Sequence, residues 1–164
     1  MTTNEESENI DTELENKESE HDSPYHKFSD DKDKQIPYDH SITTLAISSA
    51  LDQKALDVRA VRVSEQTSIA DYFVIVSGTS ERHVVGIANK IERNLREAKQ
   101  KPLSVTGKEK GEWVVIDYGD LVVHVFFEPS RQFYNFDELW AEAPPLKLSE
   151  ELAKQVRKLR TGIY

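Results

Sequence analysis

Gly78-Thr79-Ser80 follows the apolar run Tyr72-Phe73-Val74-Ile75-Val76 and precedes a stretch of helical spacing, so strand, turn and helix N-terminus meet at one point. Such a terminus offers backbone N–H groups and a partial positive charge to phosphate. The loop is too short for that use: a P-loop closes on Gly-Lys-Ser/Thr, and a dinucleotide fingerprint spaces three glycines. Ser80 is better placed as a helix cap, with Glu81 in the first turn where the dipole favours an anion. Metal-assisted nucleotidyl transfer would need clustered carboxylates to hold Mg²⁺, and the positions beyond Ser80 are Glu81, Arg82 and His83. Asp117 and Asp120 flank Tyr118-Gly119, where aspartate commonly serves turn hydrogen bonding alone. Ser80, His124 and Asp117 have the residue types of a hydrolytic triad, but no G-x-S-x-G elbow surrounds the serine. His124 lies within Leu121-Val122-Val123-His124-Val125-Phe126-Phe127, where a partly buried, satisfied histidine is expected rather than a catalytic base. His83 and His124 form no ligand motif with the aspartates. The absence of cysteine removes thiol nucleophiles, disulfides and cysteine-based zinc sites. These residues assign no catalytic residue, cofactor site or metal ligand.

The aromatic residues say more. Trp113, Tyr118, Phe126, Phe127, Phe133, Tyr134, Phe136 and Trp140 crowd into one short stretch. Core packing claims most of them. Strand alternation puts Trp113, Val115 and Asp117 on one face and Val114, Ile116 and Tyr118 on the other, which leaves a Trp or Tyr near the surface. Aromatics are enriched where proteins meet proteins. Lys147, Lys154, Arg157, Lys158 and Arg160 could approach RNA phosphates, but a solvated helix face is the preferred reading of them.

The elements that must position these residues follow from periodicity. Ile42, Leu45, Ala46, Ala50 and Leu51 predict a first helix to about Ala55, and β-branched residues predict a strand from Leu56 to Val63. Tyr72 to Val76, apolar on both faces, suits a strand inside a covered sheet. Val84, Ile87, Ala88, Ile91, Leu95 and Ala98 form a helical stripe. Leu103 to Thr106 is expected as a short strand reached by that helical crossover, with parallel pairing and a right-handed connection. Glu112–Asp117 and Leu121–Phe127 read as an antiparallel hairpin about Tyr118-Gly119. Pro129 opens a short helix to about Tyr134, Phe136, Leu139 and Trp140 follow, Pro144-Pro145 stops that segment, and Ser149 caps a last helix.

Charge divides the 164 residues sharply: the first 40 carry 13 acidic and 4 basic side chains, while the remainder carry 17 of each. A neutral domain lacks the broad positive field for generic nucleic-acid coating, so a DNA partner is not expected. Residues 1–37, too poor in apolar side chains to offset ordering entropy, are expected to be a disordered acidic arm. A domain spans 38–144, and 145–164 form a helical tail. The longest apolar run is about six residues, against the roughly 20 that cross a bilayer, so a soluble, cytoplasmic protein without a membrane partner is expected.

Asp71-Tyr72-Phe73-Val74-Ile75, Ser77-Gly78-Thr79-Ser80-Glu81-Arg82-His83-Val84, and the block from Trp113 to Phe126 stand in a specific order, completed by Phe133-Tyr134 and Leu139-Trp140. In these blocks, over about residues 40–144, the chain resembles the ribosomal silencing factor family (RsfS, or Iojap-related). The resemblance implies an α/β (mixed α+β) fold: a sheet of about five strands covered by helices, similar to nucleotidyltransferases but without their metal-binding carboxylates. It implies a non-enzymatic translational repressor that binds the large ribosomal subunit through its ribosomal protein number fourteen. It would block joining of the small subunit under nutrient limitation, form a homodimer when free, and make at most a minor contact with ribosomal RNA. Carried onto this sequence, the expected contact residues are Trp113, Asp117, Tyr118, Asp120 and Tyr134, with His124 and Trp140 beside them. A diverged nucleotidyltransferase-like enzyme and a dimerising scaffold are the alternatives.

Overall fold

The computed structural model of the chain describes residues 42–160. The arm expected at residues 1–37 lies outside the described residues. Helix α1 (Ile42–Asp52) buries Ala46, Ile47, Ala50 and Leu51. It ends earlier than its apolar spacing suggests because Lys54 turns left-handed, with φ 57°. The Lys54 and Ala55 N–H groups then donate back to the carbonyls of Leu51 and Ala50, a Schellman closure that satisfies the helix end.

Strand β1 (Leu56–Arg62), strand β2 (Tyr72–Gly78), helix α2 (Glu81–Glu97), strand β3 (Ser104–Thr106), strand β4 (Trp113–Asp117) and strand β5 (Leu121–Phe127) follow. The five strands form one mixed sheet in the order β1-β2-β5-β4-β3. Only β2 and β5 pair in parallel; β1–β2, β4–β5 and β3–β4 are antiparallel. The expected parallel pairing of Leu103–Thr106 is therefore corrected. The crossover through α2 carries the chain past two vacant positions to the far edge, and β4 and β5 then fill the gap by antiparallel returns. β3 runs in the same direction as β2 without touching it. Tertiary pairing decides this, because a three-residue strand carries no sequence signal for its neighbour.

The pleat divides the core in two. Val74, Val76, Val114, Ile116, Val123 and Val125 face α1 and α2. Phe73, Ile75, Val122 and Phe126 face the other way, beneath helix α3 (Glu128–Phe133) and helix α4 (Phe136–Leu139). Helix α5 (Glu150–Arg160) returns to the first side, where Leu152 is buried and Val156 and Leu159 pack on the same core. Before it, Pro144 and Leu146 pair with the β1 edge: the Arg62 N–H donates to the Pro144 carbonyl and the Leu146 N–H to the Ala60 carbonyl, each at 2.9 Å. The edge strand is thereby covered on its outer side.

Candidate protein-docking face

The two sides of the sheet are covered unequally. Long α2 shields the first, so Val114 and Ile116 of β4 are fully buried. Short α3 and α4 lie over the second, and Trp113 and Val115 there stay partly exposed. Trp113 stacks on Phe126, ring centres 4.8 Å apart, and reaches Tyr134 at 5.2 Å and Phe136 at 5.5 Å. Phe73 meets both His124 and Trp140 edge-on at 4.7 Å. Phe136 fills the centre of this aromatic layer, while Phe133 is 82% exposed and Tyr134 49%. The layer thus has a packed floor and an open rim, the combination that brings large contact area at little ordering cost.

His124 is part of the floor. Its Nδ1 accepts from the Trp113 indole N–H at 3.3 Å, which places the ring proton on Nε2. Burial pushes its pKa down to about 3, so the ring is neutral near physiological pH and does not take up a second proton there. Its role is to fix Trp113. Asp117 lies on the same side of β4 at the opposite end, about 13 Å along the strand. Its Oδ1 accepts the Gly119 N–H at 2.7 Å, and Gly119 takes a φ of 89°. Asp120 presents an exposed side chain, while its carbonyl accepts from the N–H groups of Asp71 and Tyr72 and ties the hairpin to β2. Tyr118 leaves the strand on the other side. Its ring packs against the helix-covered core, and burial, with the Glu92 charge, raises its pKa to about 12. The structure therefore gathers Trp113, His124, Tyr134 and Trp140 into one layer, sets Asp117 and Asp120 at the far end of the hairpin, and turns Tyr118 away.

The Gly78-Thr79-Ser80 turn is occupied with its own packing. Ser80 Oγ accepts the His83 N–H at 3.1 Å. His83 Nδ1 accepts from the Thr79 N–H at 3.0 Å, leaving Nε2 to donate to the Gln53 carbonyl at 2.6 Å. A Cβ on Gly78 would stand 3.0 Å from Val84, so the glycine serves close approach of helix to strand. Among the described residues, no three His, Asp or Glu side chains gather where a metal ion could bind.

Sequence reasoning missed three residues. Arg131 of α3 is buried and grips Asp137 of α4 through two bonds, Nε to Oδ2 at 2.7 Å and Nη2 to Oδ1 at 2.9 Å. Arg59 of β1 donates to the same carboxylate at 3.2 Å, to the Asp137 carbonyl at 2.9 Å and to the Trp140 carbonyl at 2.6 Å. These two guanidinium groups hold the Asp137 carboxyl below its usual range. An arginine inside the aromatic stretch was the available signal; its partner on β1 is distant in sequence and left none.

Comparison with known proteins agrees with this architecture. The family model described as "Ribosomal silencing factor during starvation" matches residues 38–161, a span that includes α5. A protein of Halalkalibacterium halodurans named "Ribosomal silencing factor RsfS" is 38% identical over 104 residues, 63% of this chain and 89% of that one. A Bacillus subtilis protein of the same name is 36% identical, over 63% of this chain and 88% of its own length. A crystal structure of a Chromobacterium violaceum protein superposes with a TM-score of 0.60 at 35% identity, covering 66% of this chain and 88% of that one. The match takes in every element of the sheet and the helices on both of its sides, and on that ground the chain belongs to the ribosomal silencing factor family.

Proposed function

We propose that this protein regulates translation by binding the large ribosomal subunit through its ribosomal protein number fourteen and sterically blocking association with the small subunit. The observation that carries the reading is the half-open aromatic layer of Trp113, Phe133 and Tyr134 in a chain of a family named for ribosome silencing. A rigid patch of about 800 Å² per partner with aromatic anchors suffices for stable docking. Asp117 and Asp120, at the end of the same hairpin, suit basic side chains of a ribosomal protein. The basic residues of α5 would supply at most a minor contact with ribosomal RNA, and the free protein would self-associate as a homodimer in the cytoplasm. This function is occlusion and requires no catalytic group; the relatives' names describe silencing factors, not enzymes.

Co-sedimentation with separated ribosomal subunits tests it. The expected result is migration with the large subunit alone and suppressed formation of the joined ribosome when the small subunit is added. Absence from the large-subunit peak at micromolar protein would sink the reading.

A further inference from the structure

The docking rim is carried by an elbow. Helix α3 ends at Phe133, Tyr134 caps it, and Asn135 turns left-handed with φ 48° before α4 begins. Phe133 and Tyr134 project outward at this bend, and Phe136, two residues after Tyr134, is buried. A left-handed non-glycine residue between two helices of six and four residues gives the elbow little stiffness of its own. Something else must set its angle.

The Arg131–Asp137 pair bridges the elbow, joining the helix before the bend to the helix after it. The same Arg131 guanidinium donates through Nη1 to the Asp57 carbonyl at 2.8 Å and to Ser77 Oγ at 2.9 Å, which anchors the bridge to β1 and β2. Asp57 itself sits at the irregular start of β1 with φ 46°, and that bulge turns its carbonyl toward Arg131. Arg59 closes the far end by holding Asp137 and the Trp140 backbone. Asp57, Arg59, Arg131 and Asp137 form one wall of a surface cavity of about 430 Å³ beside the elbow. Each of these contacts ends on the segment that bears Tyr134 and Trp140, or on the strands beneath it.

We infer that Arg59, Arg131 and Asp137 are positioning residues for docking: their clasp fixes the elbow so that Tyr134 lies against Trp113 before any partner arrives. The inference rests on the proposed docking through the aromatic layer. Fixing the rim in advance removes an ordering cost that binding would otherwise meet.

A double-mutant cycle on large-subunit binding tests this. The variants are Asp137→Asn, Tyr134→Ala and the pair, each checked for native circular dichroism and each assayed by co-sedimentation. Asp137→Asn should bind about tenfold more weakly. The double variant should bind no more weakly than Tyr134→Ala alone, because the clasp acts through that ring. A merely structural role predicts independent losses that multiply. Leu152→Ala, which weakens the core on the opposite side of the sheet, controls for stability and should leave binding within about twofold. Should Asp137→Asn lose its fold, Arg59→Lys replaces it in the cycle, since lysine keeps the charge but cannot span Asp137 and Trp140 together. A folded clasp variant that binds like the wild type, or losses that multiply, overturns the inference while the docking reading stands. Failure of the wild type itself to bind overturns both.

Discussion

In the proposed docking, Asp117 holds two jobs that a single substitution would confuse. Its Oδ1 closes the hairpin turn through the Gly119 N–H, and its charge suits a basic partner. Asp117→Asn keeps an acceptor oxygen and removes the charge, so urea melts should move by less than about 0.5 kcal/mol while subunit binding weakens; Asp117→Ala should cost about 1 kcal/mol of stability as well. His124 gives a pH signature instead. Its native pKa of about 3 lies below its ordinary value of 6.5, so between these limits the unfolded chain takes up a proton that the folded chain refuses. Stability from this residue is full above about pH 6.5 and falls as pH drops toward 3, by about 1.4 kcal/mol per pH unit. Between pH 6.5 and 4.5 the wild type should lose about 2 kcal/mol more than His124→Phe, measured as the difference between the two denaturation curves. Equal losses would show that the imidazole is not held neutral by burial.

At the scale of elements, the hairpin and the helices were legible because each has a local cause. Val84, Ile87, Ile91 and Leu95 recur at helical steps and are fully buried. Ser80 caps that helix as its residue type suggests. Position within the sheet is another matter, as β3 illustrates. Its join to β4 depends on Gly107, whose φ is 89° and whose missing Cβ would lie 1.9 Å from the Trp113 carbonyl oxygen. Gly107→Ala therefore combines a disfavoured backbone with a backbone clash at Trp113, the residue that begins β4. A loss of about 2 kcal/mol or more in thermal or urea unfolding is expected, with blurring of the Trp113 indole resonance in NMR spectra. An unchanged melt would mean that the loop relaxes without disturbing β4.

For the molecule as a whole, the decisive feature is a sheet whose two sides are treated differently. Helices α1, α2 and α5 seal one side, and the short α3–α4 segment leaves the other partly exposed. Helix α5 belongs to the sealed side: Leu152 is only 5% exposed there, and Ser149 Oγ accepts the Leu152 N–H at 3.3 Å. Leu152→Ala should thus lower unfolding stability by about 2–3 kcal/mol in one cooperative transition. A negligible change would show that the packing of Leu152 adds little to the stability of the fold.

The sequence by itself determined the strands, the helices, the turn residues and the aromatic density after Trp113, because these depend on side-chain period, capping chemistry and composition within a few residues. It also carried the family, through ordered blocks that no single motif could supply. Only the tertiary structure decided which side of the sheet stays open, that Tyr118 faces the sealed core while Trp113 faces outward, and that Arg59 reaches Asp137 across 78 positions of chain. Those outcomes depend on which distant surfaces meet once the sheet has closed, and pairing at that range leaves no trace in local spacing.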